Sequence, residues 1–148
     1  MILAAAWACP ALAGPAKVCP DPAKPCAGFK AHDLSFPLLT DGVARDEQRS
    51  APFYAVILVS GAACRVTERQ RSDIQALFPR HKVFSYRHCE DAVEENVSYA
   101  NVDSKRDFIA VYAGEDRAAG EEMLAMVKSM NRFAGANIRR MEVIYGYP

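Results

Sequence analysis

The sequence predicts an α+β fold built from two strand–helix–strand halves, and three observations support this prediction. The stretch Phe53–Gly61 is a continuous apolar run, rich in β-branched and aromatic residues, that closes with a glycine, as buried strands often do. The stretch Phe108–Gly114 repeats this pattern with the same closing residue. A helix-like segment and then a further short strand follow each run. We therefore expect the two runs to form the centre of the fold.

The first half contains clear signals for where its helix begins and ends. Thr67 and Gln70 have the spacing of a capping box, in which the side chain of each residue accepts a hydrogen bond from the backbone amide of the other. Pro79 predicts the end of this helix because proline cannot continue the backbone hydrogen-bond ladder. The predicted strand, helix and strand of this half are Phe53–Ser60, Thr67–Phe78 and Lys82–His88.

The second half has the same organisation. Asp116 is a suitable N-cap, and Gly135 follows the predicted helix as a stop signal. The polar, acidic segment before this half, Cys89–Lys105, is predicted to be a long loop or hairpin, with Val97–Val102 as a candidate short strand. The predicted strand, helix and strand are Asp107–Ala113, Asp116–Phe133 and Asn137–Tyr145.

The resulting order β-α-β-β-α-β is that of a ferredoxin-like split βαβ sandwich. In that arrangement a four-stranded antiparallel sheet carries both helices on one face, and the first and third strands are central. The other face of the sheet is predicted to be open or to be covered by something else.

Length and charge narrow the classes of function. The chain has 148 residues, which suits one domain, and its 51% hydrophobic and 24% charged residues are typical of a globular protein. Eighteen Lys and Arg residues balance eighteen Asp and Glu residues, so no global field favours nucleic-acid binding.

The N-terminal part of the chain predicts export. Residues 1–13 are apolar and alanine-rich and end in Ala11-Leu12-Ala13, the pattern of a secretory signal peptide and its cleavage site. A basic region is missing before it, so either the start codon lies upstream or these residues form an N-terminal core helix instead. Residues 14–51 are proline-rich and predict a linker, and residues 52–148 form the predicted domain. The expected location is the periplasm or the cell envelope.

The four cysteines that follow the predicted cleavage site suggest two disulfides in an exported chain. Four cysteines allow three pairings, and we favour a local Cys19–Cys26 bridge together with a Cys64–Cys89 bridge between the ends of two strands. The second bridge requires both loops to bend inward, because Cα atoms more than about 7 Å apart cannot be joined.

Several motifs resemble the SPOR (sporulation-related repeat) domain. Tyr54-Ala55-Val56-Ile57-Leu58 is similar to the strand opening of that family, and Phe108–Gly114 is similar to its second strand opening. The segment Phe133–Arg140 is similar to the turn before its last strand. The resemblance covers roughly Pro52–Tyr147 and implies the same ferredoxin-like fold.

The resemblance also implies a function. SPOR domains are exported, non-catalytic modules of bacterial envelope proteins that bind peptidoglycan glycan strands across the open face of the sheet. It implies that the binding residues on this face are Ile57, Val59, Ile109 and Val111. The side chains expected under the helices are then Val56, Leu58, Ala110 and Tyr112.

One departure from the family pattern supports an alternative function. The family often has a polar residue where Ile57 stands, and here both faces of both central strands are apolar, as in sheets that are covered on two sides. An exposed apolar stripe usually marks an interface. The alternative is therefore a periplasmic accessory subunit that docks a protein partner or forms a homodimer through this face. The segment Leu34–Leu39 is a further candidate for covering it.

We predict no enzymatic activity, cofactor or metal site. Cys64, His81, His88 and Cys89 form the one ligand-type cluster, but their spacing is not that of a zinc site, and a disulfide with two surface histidines is favoured. A cysteine–histidine nucleophile pair is the weaker alternative, since no oxyanion-stabilising glycine motif accompanies it. The carboxylates that could suggest glycoside hydrolysis are better explained as a solvated acidic loop; they are Glu90, Asp91, Glu94 and Glu95.

Overall fold

The computed structural model describes residues 47–89 and 97–146, which form an α+β fold. This part of the chain contains a four-stranded antiparallel sheet, a second sheet of three antiparallel strands, and two helices. The strands in chain order are β1 (Glu47–Arg49), β2 (Phe53–Ala62), β3 (Val83–Tyr86), β4 (Val97–Tyr99), β5 (Arg106–Gly114), β6 (Asn137–Met141) and β7 (Val143–Gly146). The helices are α1 (Glu68–Gln75) and α2 (Arg117–Ser129).

The four-stranded sheet has the order β3-β5-β2-β6, and every neighbouring pair is antiparallel. The two apolar runs are therefore its central strands, β2 and β5, which the sequence predicts. This sheet and the two helices are compatible with a ferredoxin-like fold. None of the helices in the described part of the chain has the length and apolar character needed to cross a membrane.

Both helices begin where their capping residues indicate. The Thr67 side chain accepts a hydrogen bond from the Gln70 amide, and the Gln70 side chain accepts one from the Thr67 amide, so the capping box is confirmed. Asp116 caps α2 by accepting a hydrogen bond from the Ala119 amide over 2.8 Å. Each helix ends earlier than predicted, at Gln75 and Ser129.

The helices pack on one face of the four-stranded sheet. The buried residues of this layer, which we call the helix-side core, come from the central strands, from β3, from α2 and from the segments that flank α1, and the half-buried Ile74 of α1 packs against them. Gly120 lets α2 lie close to the sheet, because a Cβ atom there would clash with Ile138 Cδ1 and lie 3.1 Å from Tyr54 Cβ. The helix-side core consists of Val56, Leu58, Val66, Phe78, Val83, Ile109, Val111, Met123 and Val127.

The second sheet covers the opposite face. Its order is β1-β7-β4, and it contributes Tyr99 and Val143 to a second buried cluster, which we call the sheet-side core. Much of this cluster is aromatic: the ring centroid of Phe84 lies 5.4 Å from that of Tyr99 and 6.0 Å from that of Phe108. The sheet-side core consists of Phe53, Ala55, Ile57, Phe84, Tyr99, Phe108, Ala110, Tyr112, Met141 and Val143.

Two expectations about the elements need correction, and one is confirmed. The predicted linker, residues 14–51, ends in regular structure, because Glu47–Arg49 pair with β7 as a strand. The last predicted strand is divided at Glu142: β6 belongs to the four-stranded sheet and β7 to the second sheet. The candidate short strand at Val97–Val102 is confirmed as β4, and it belongs to the second sheet. All three findings have the same physical cause, namely the need to cover the second apolar face of the central strands.

Several sequence predictions concern residues outside the described part of the chain. They are the signal peptide at residues 1–13, the linker at residues 14–46, the Cys19–Cys26 bridge, the Leu34–Leu39 segment and the acidic residues between Glu90 and Glu95.

Ser50 fixes the second sheet to the start of β2, and its removal should weaken the fold. Its buried hydroxyl accepts a hydrogen bond from the Val143 amide over 3.0 Å, and its own amide donates to the Val143 carbonyl over 2.9 Å. Because Ser50→Ala leaves the buried Val143 amide without this acceptor, we expect the free energy of unfolding in urea to fall by about 1–3 kcal/mol. Ser129→Ala, at an exposed helix end, is the control and should change it by less than about 0.5 kcal/mol. An equal effect of the two variants would show that Ser50 does not hold the second sheet.

Candidate functional site

The predicted stripe of binding residues is not a single surface. Antiparallel partners share a face, and β2 pairs Val56 with Val111 but Ile57 with Ala110. Val56 and Val111 lie in the helix-side core, whereas Ile57 and Ala110 lie in the sheet-side core. The assignment of Val111 to the helix-free face is therefore wrong, while that of Ile57 to this face agrees with the structure.

A register shift between Ile57 and Val59 moves Val59 to the helix side, where Ile109 lies by regular alternation with Val111 along β5. After the shift, Val59 pairs with Ile109, and both pack on the helix side. The expectation that Val59 and Ile109 face away from the helices is therefore wrong, as is the expectation that Ala110 and Tyr112 lie under them. The expectation for Val56 and Leu58 agrees with the structure.

Burial excludes these residues as an exposed docking patch in the folded chain. Ile109 and Val111 are 0% exposed, Ile57 is 8% exposed, and Val59 is half-buried. A partner must therefore meet other surfaces, among them the ends and edges of the sheets. One end carries an unusual concentration of polar interactions and charge.

A buried carboxylate organises that end. Asp107, at the start of β5, is 0% exposed. Its Oδ2 accepts hydrogen bonds from the amides of Arg65 and Val66 over 2.9 and 3.1 Å, and its Oδ1 accepts one from the amide of His88 over 2.8 Å. A buried charge is tolerated when it is hydrogen-bonded in this way. Asp107 thus joins the loop after β2 to the segment after β3.

The cysteines join the same two segments. Cys64 and Cys89 lie at disulfide distance, with their Cα atoms 5.3 Å apart, so this predicted pairing agrees with the structure. Cys64 has a φ of 61°, in the left-handed region, which gives the loop after β2 the sharp bend that the bridge requires. The cysteine pair and a carboxylate with three amide donors therefore hold the backbone of this end.

Exposed cations surround this fixed backbone. Arg106 is directly opposite Ala62 in the ladder between β2 and β5. Asp107 accepts a hydrogen bond from the amide of Arg65, and it accepts another from the amide of His88, the residue after Arg87. The side chains of all these cations are exposed, and none of them takes part in the ion pairs found among the described residues. We call this surface the basic end, and it consists of Arg65, Arg69, Arg87, Lys105 and Arg106.

The opposite end of the four-stranded sheet has a different charge pattern. There Arg117 of α2 is paired with Glu121 over 2.7 Å, which raises the pKa of Arg117, and the Glu115, Asp116 and Glu122 carboxylates lie nearby in the sequence. The N-terminus of α1, with its partial positive charge, points instead to the basic end. The two ends of the sheet therefore differ in their pattern of charges, which the neutral net charge of the chain does not reveal.

Tyr86 lies between the basic end and the sheet-side core. Its ring stacks on Phe108, with centroids 5.9 Å apart, and meets Tyr99 edge-on at 6.0 Å. Burial raises the pKa of Tyr86, and the negative charge of Asp107 raises it further. Burial and Asp107 thus both favour the neutral form of the phenol.

The histidines do not join the cysteines in one cluster. His88 adjoins Cys89 at the basic end, whereas His81 precedes β3 and lies at the other end of that strand. Burial and the neighbouring Arg80 lower the pKa of His81. In residues 47–89 and 97–146, no group of three or more His, Cys, Asp or Glu side chains is placed to hold a metal ion.

The sequence interpretation missed Asp107 and the basic end. The sequence did contain a signal for Asp107, which is an acidic residue at the first position of the otherwise apolar predicted strand Asp107–Ala113. The cations were spread over four separate segments, and only strand register brings those segments together.

Comparison with known proteins does not assign this chain to a family: no protein-family model matches it, and no curated protein or solved structure matches it either.

The titration of Tyr86 tests the proximity of Asp107. We expect the Tyr86 pKa to lie above the ordinary value of about 10, and Asp107→Asn should lower it, although burial, the larger cause, remains. Because the folded state holds this proton more tightly than the unfolded state, the Tyr86 contribution to stability should be lost as the pH rises above about 10. The measurement is the absorbance titration of phenolate in each protein, after subtraction of the same protein with Tyr86→Phe. Asp103→Asn, an exposed carboxylate, is the control, and an equal shift in both variants would contradict the assignment.

Removal of the Cys64–Cys89 bridge should lower stability without changing the fold. Crosslinks restrict the unfolded chain, so Cys64→Ser with Cys89→Ser should reduce the free energy of unfolding by about 2–4 kcal/mol. Urea denaturation of the variant and of the unreduced parent protein measures this difference. A reducing agent should then destabilise the parent protein but not the variant. Identical unfolding of the parent protein with and without reductant, once its thiols are shown to have been released, would contradict this role.

Proposed function

We propose that this protein is a non-catalytic, exported binding module that docks an acidic protein partner at its basic end. The observation that carries the proposal is the set of five exposed cations without ion-pair partners among the described residues, held on a backbone fixed by Asp107 and the cysteine pair. Docking of a protein partner is also the second of the two functions that the sequence suggests, but the proposed surface is the basic end and not the apolar helix-free face, which is buried.

The charge arrangement suits recognition of an acidic surface. Like charges at close distance repel, so the electrostatic energy of a cluster of cations falls when a partner supplies the opposite charge. Such a cluster also attracts an acidic partner over distances near the Debye length and raises the association rate. Because the backbone of the basic end is already held in place, little backbone conformational entropy is lost when the partner binds.

Glycan binding across the sheet face receives less support from the geometry. A glycan on the helix-free face would occupy the place of β1, β4 and β7. Every aromatic ring whose burial the structure describes is buried or half-buried, so no exposed ring platform for a sugar is found in that part of the chain. Membership of the SPOR family stays a prediction that rests on the motif resemblance.

The fold assignment is part of the proposal. We propose that the four-stranded sheet and its two helices form a ferredoxin-like split βαβ sandwich, to which the second sheet is an addition on the helix-free face. The strand order β3-β5-β2-β6 supports this assignment, and so does the packing of both helices in one core.

Export is supported by the cysteine pair and by the leader-like sequence of residues 1–13. The distance between Cys64 and Cys89 is compatible with a disulfide, and disulfides persist mainly in oxidising compartments. An exported location would place the basic end in the periplasm or at the envelope.

Charge reversal at the basic end tests the proposed function. The probe is fluorescein-labelled poly-L-glutamate, which presents protein-like carboxylates, and binding is measured by fluorescence anisotropy. We expect Arg65→Glu with Arg87→Glu to weaken binding at least about tenfold, a loss of about 1.4 kcal/mol. The affinity of the parent protein should also fall as the salt concentration rises.

The matched control reverses two cations away from the basic end. Arg80→Glu with Arg117→Glu changes the net charge by the same amount but should reduce affinity much less. Equal losses in the two double variants would indicate attraction by net charge alone and would contradict the proposal. Sedimentation with purified peptidoglycan sacculi provides the comparison with the other function: retention that survives Arg65→Glu with Arg87→Glu would favour glycan binding instead.

A further inference from the structure

The two outer edges of the four-stranded sheet differ in how their backbone groups are satisfied. The edge strand β3 is protected by α1. The Gln75 side chain accepts a hydrogen bond from the Val83 amide over 2.9 Å, and the Arg71 guanidinium donates one to the Val83 carbonyl over 3.1 Å. Such protection prevents another strand from pairing with the edge.

The register of the sheet shows which backbone groups of β6 point outward. The Tyr112 amide donates to the Lys82 carbonyl on the β3 side, so the neighbouring residue Val111 directs its backbone groups toward β2. Val111 pairs with Val56, so the backbone groups of Val56 point toward β5. The direction of the backbone groups alternates along a strand, so those of the next residue, Ile57, point toward β6. In β6, Asn137 and Arg139 therefore bond to β2, whereas Ile138 and Arg140 direct their backbone groups away from the sheet.

A side-chain contact confirms this orientation. The Arg140 carbonyl accepts a hydrogen bond from Asn101 Nδ2 over 2.9 Å, on the outer side of β6. Beyond this point β4 and its turn cover the strand, since the Ala100 amide donates to the Glu142 carbonyl and Tyr99 pairs with Val143. Three groups stay uncovered by described residues. We call them the open edge, and they are the Ile138 amide, the Ile138 carbonyl and the Arg140 amide.

We infer that the open edge binds an extended acidic segment of a partner protein, which adds a strand beside β6. Backbone hydrogen bonds give such a strand its affinity, and alternate side chains give it specificity. Arg139 and Arg140 are exposed and project to opposite faces of β6, because their β2 partners Ala55 and Tyr54 are adjacent residues. An incoming strand therefore meets a cation on each face.

The same charges disfavour a second copy of this chain as the occupant. Pairing of β6 with β6 in a symmetric dimer would bring the arginines of the two strands together, and like charges opposite each other destabilise a sheet. An acidic segment complements them instead. This surface is separate from the basic end, so the inference does not rest on the proposed function.

The experiment uses an acidic peptide and its backbone-methylated form. The probe is a fluorescein-labelled peptide of alternating Glu and Val, and the control peptide has the same side chains with every second amide N-methylated. We expect the full-length protein to bind the first peptide and to bind the methylated peptide at least about tenfold more weakly, because methylation removes the ladder bonds and keeps the charge.

Two variants of the protein locate the binding at β6. Ile138→Pro removes the outward amide without removing a bond to β2, since proline is tolerated at such edge positions, and it should weaken peptide binding about tenfold. Ile138→Val keeps the amide and should bind as the parent protein does. Arg65→Glu with Arg87→Glu should retain the difference between the two peptides, which separates this inference from the proposed function.

Three outcomes would overturn the inference. They are failure of the parent protein to bind the unmethylated peptide, equal affinity for both peptides, or a dimer in sedimentation that Ile138→Pro dissociates. The peptide comparison uses the unaltered protein, so it decides the matter even if Ile138→Pro does not fold.

Discussion

The two central strands are apolar on both faces, and this constraint determines most of the architecture. β2 and β5 place Val56 and Val111 under the helices and Ala55, Ile57 and Tyr112 on the other side. Apolar side chains on two faces must both be removed from water, because exposure of either face would cost about 25 cal/mol for each Å² left uncovered. Two helices cover one face and a three-stranded sheet covers the other. The chain builds that second cover from short strands that come before, between and after the elements of the main sheet.

The double cover also determines where recognition can occur. With both faces of the central strands internal, the accessible parts of the sheets are their ends and edges. At one end, Asp107 and the cysteine pair hold the loop after β2 against the segment after β3, so the cations around them have a fixed backbone. At one edge, β6 has backbone groups without partners among the described residues. On the opposite edge, α1 satisfies the corresponding groups of β3. Binding at the periphery of a rigid scaffold is a common arrangement in proteins.

Local sequence patterns predicted the helices and the central strands well. The faces of the strand residues and the make-up of the basic end depend on long-range register, which the sequence does not reveal. The capping box at Thr67, the cap at Asp116 and the two apolar runs depend on neighbouring residues, and sequence alone located them. The face of Val59 depends on a register shift in β2, which no local pattern announces and which changes the face of the later residues of that strand. Ile109 and Val111 alternate regularly with their neighbours in β5, and their face is set by how β5 pairs with β2. The division of the last strand at Glu142 is likewise set by the second sheet. The basic end was not predicted because its cations come from separate segments. The Cys64–Cys89 pairing was predicted because both cysteines follow strands that end on the same side of the sheet, and it needs both loops to bend inward past β5.

The most direct test of this account is the detection of nuclear Overhauser effects between aromatic rings in the folded protein. Tyr99 belongs to the second sheet, and its ring centroid lies 5.4 Å from that of Phe84 and 5.5 Å from that of Phe108 in the main sheet. The account predicts cross-peaks from the Tyr99 ring protons to both phenylalanine rings. A spectrum in which the assigned Tyr99 ring shows contacts to neither phenylalanine would contradict it, because the helix-free face would then lack its cover.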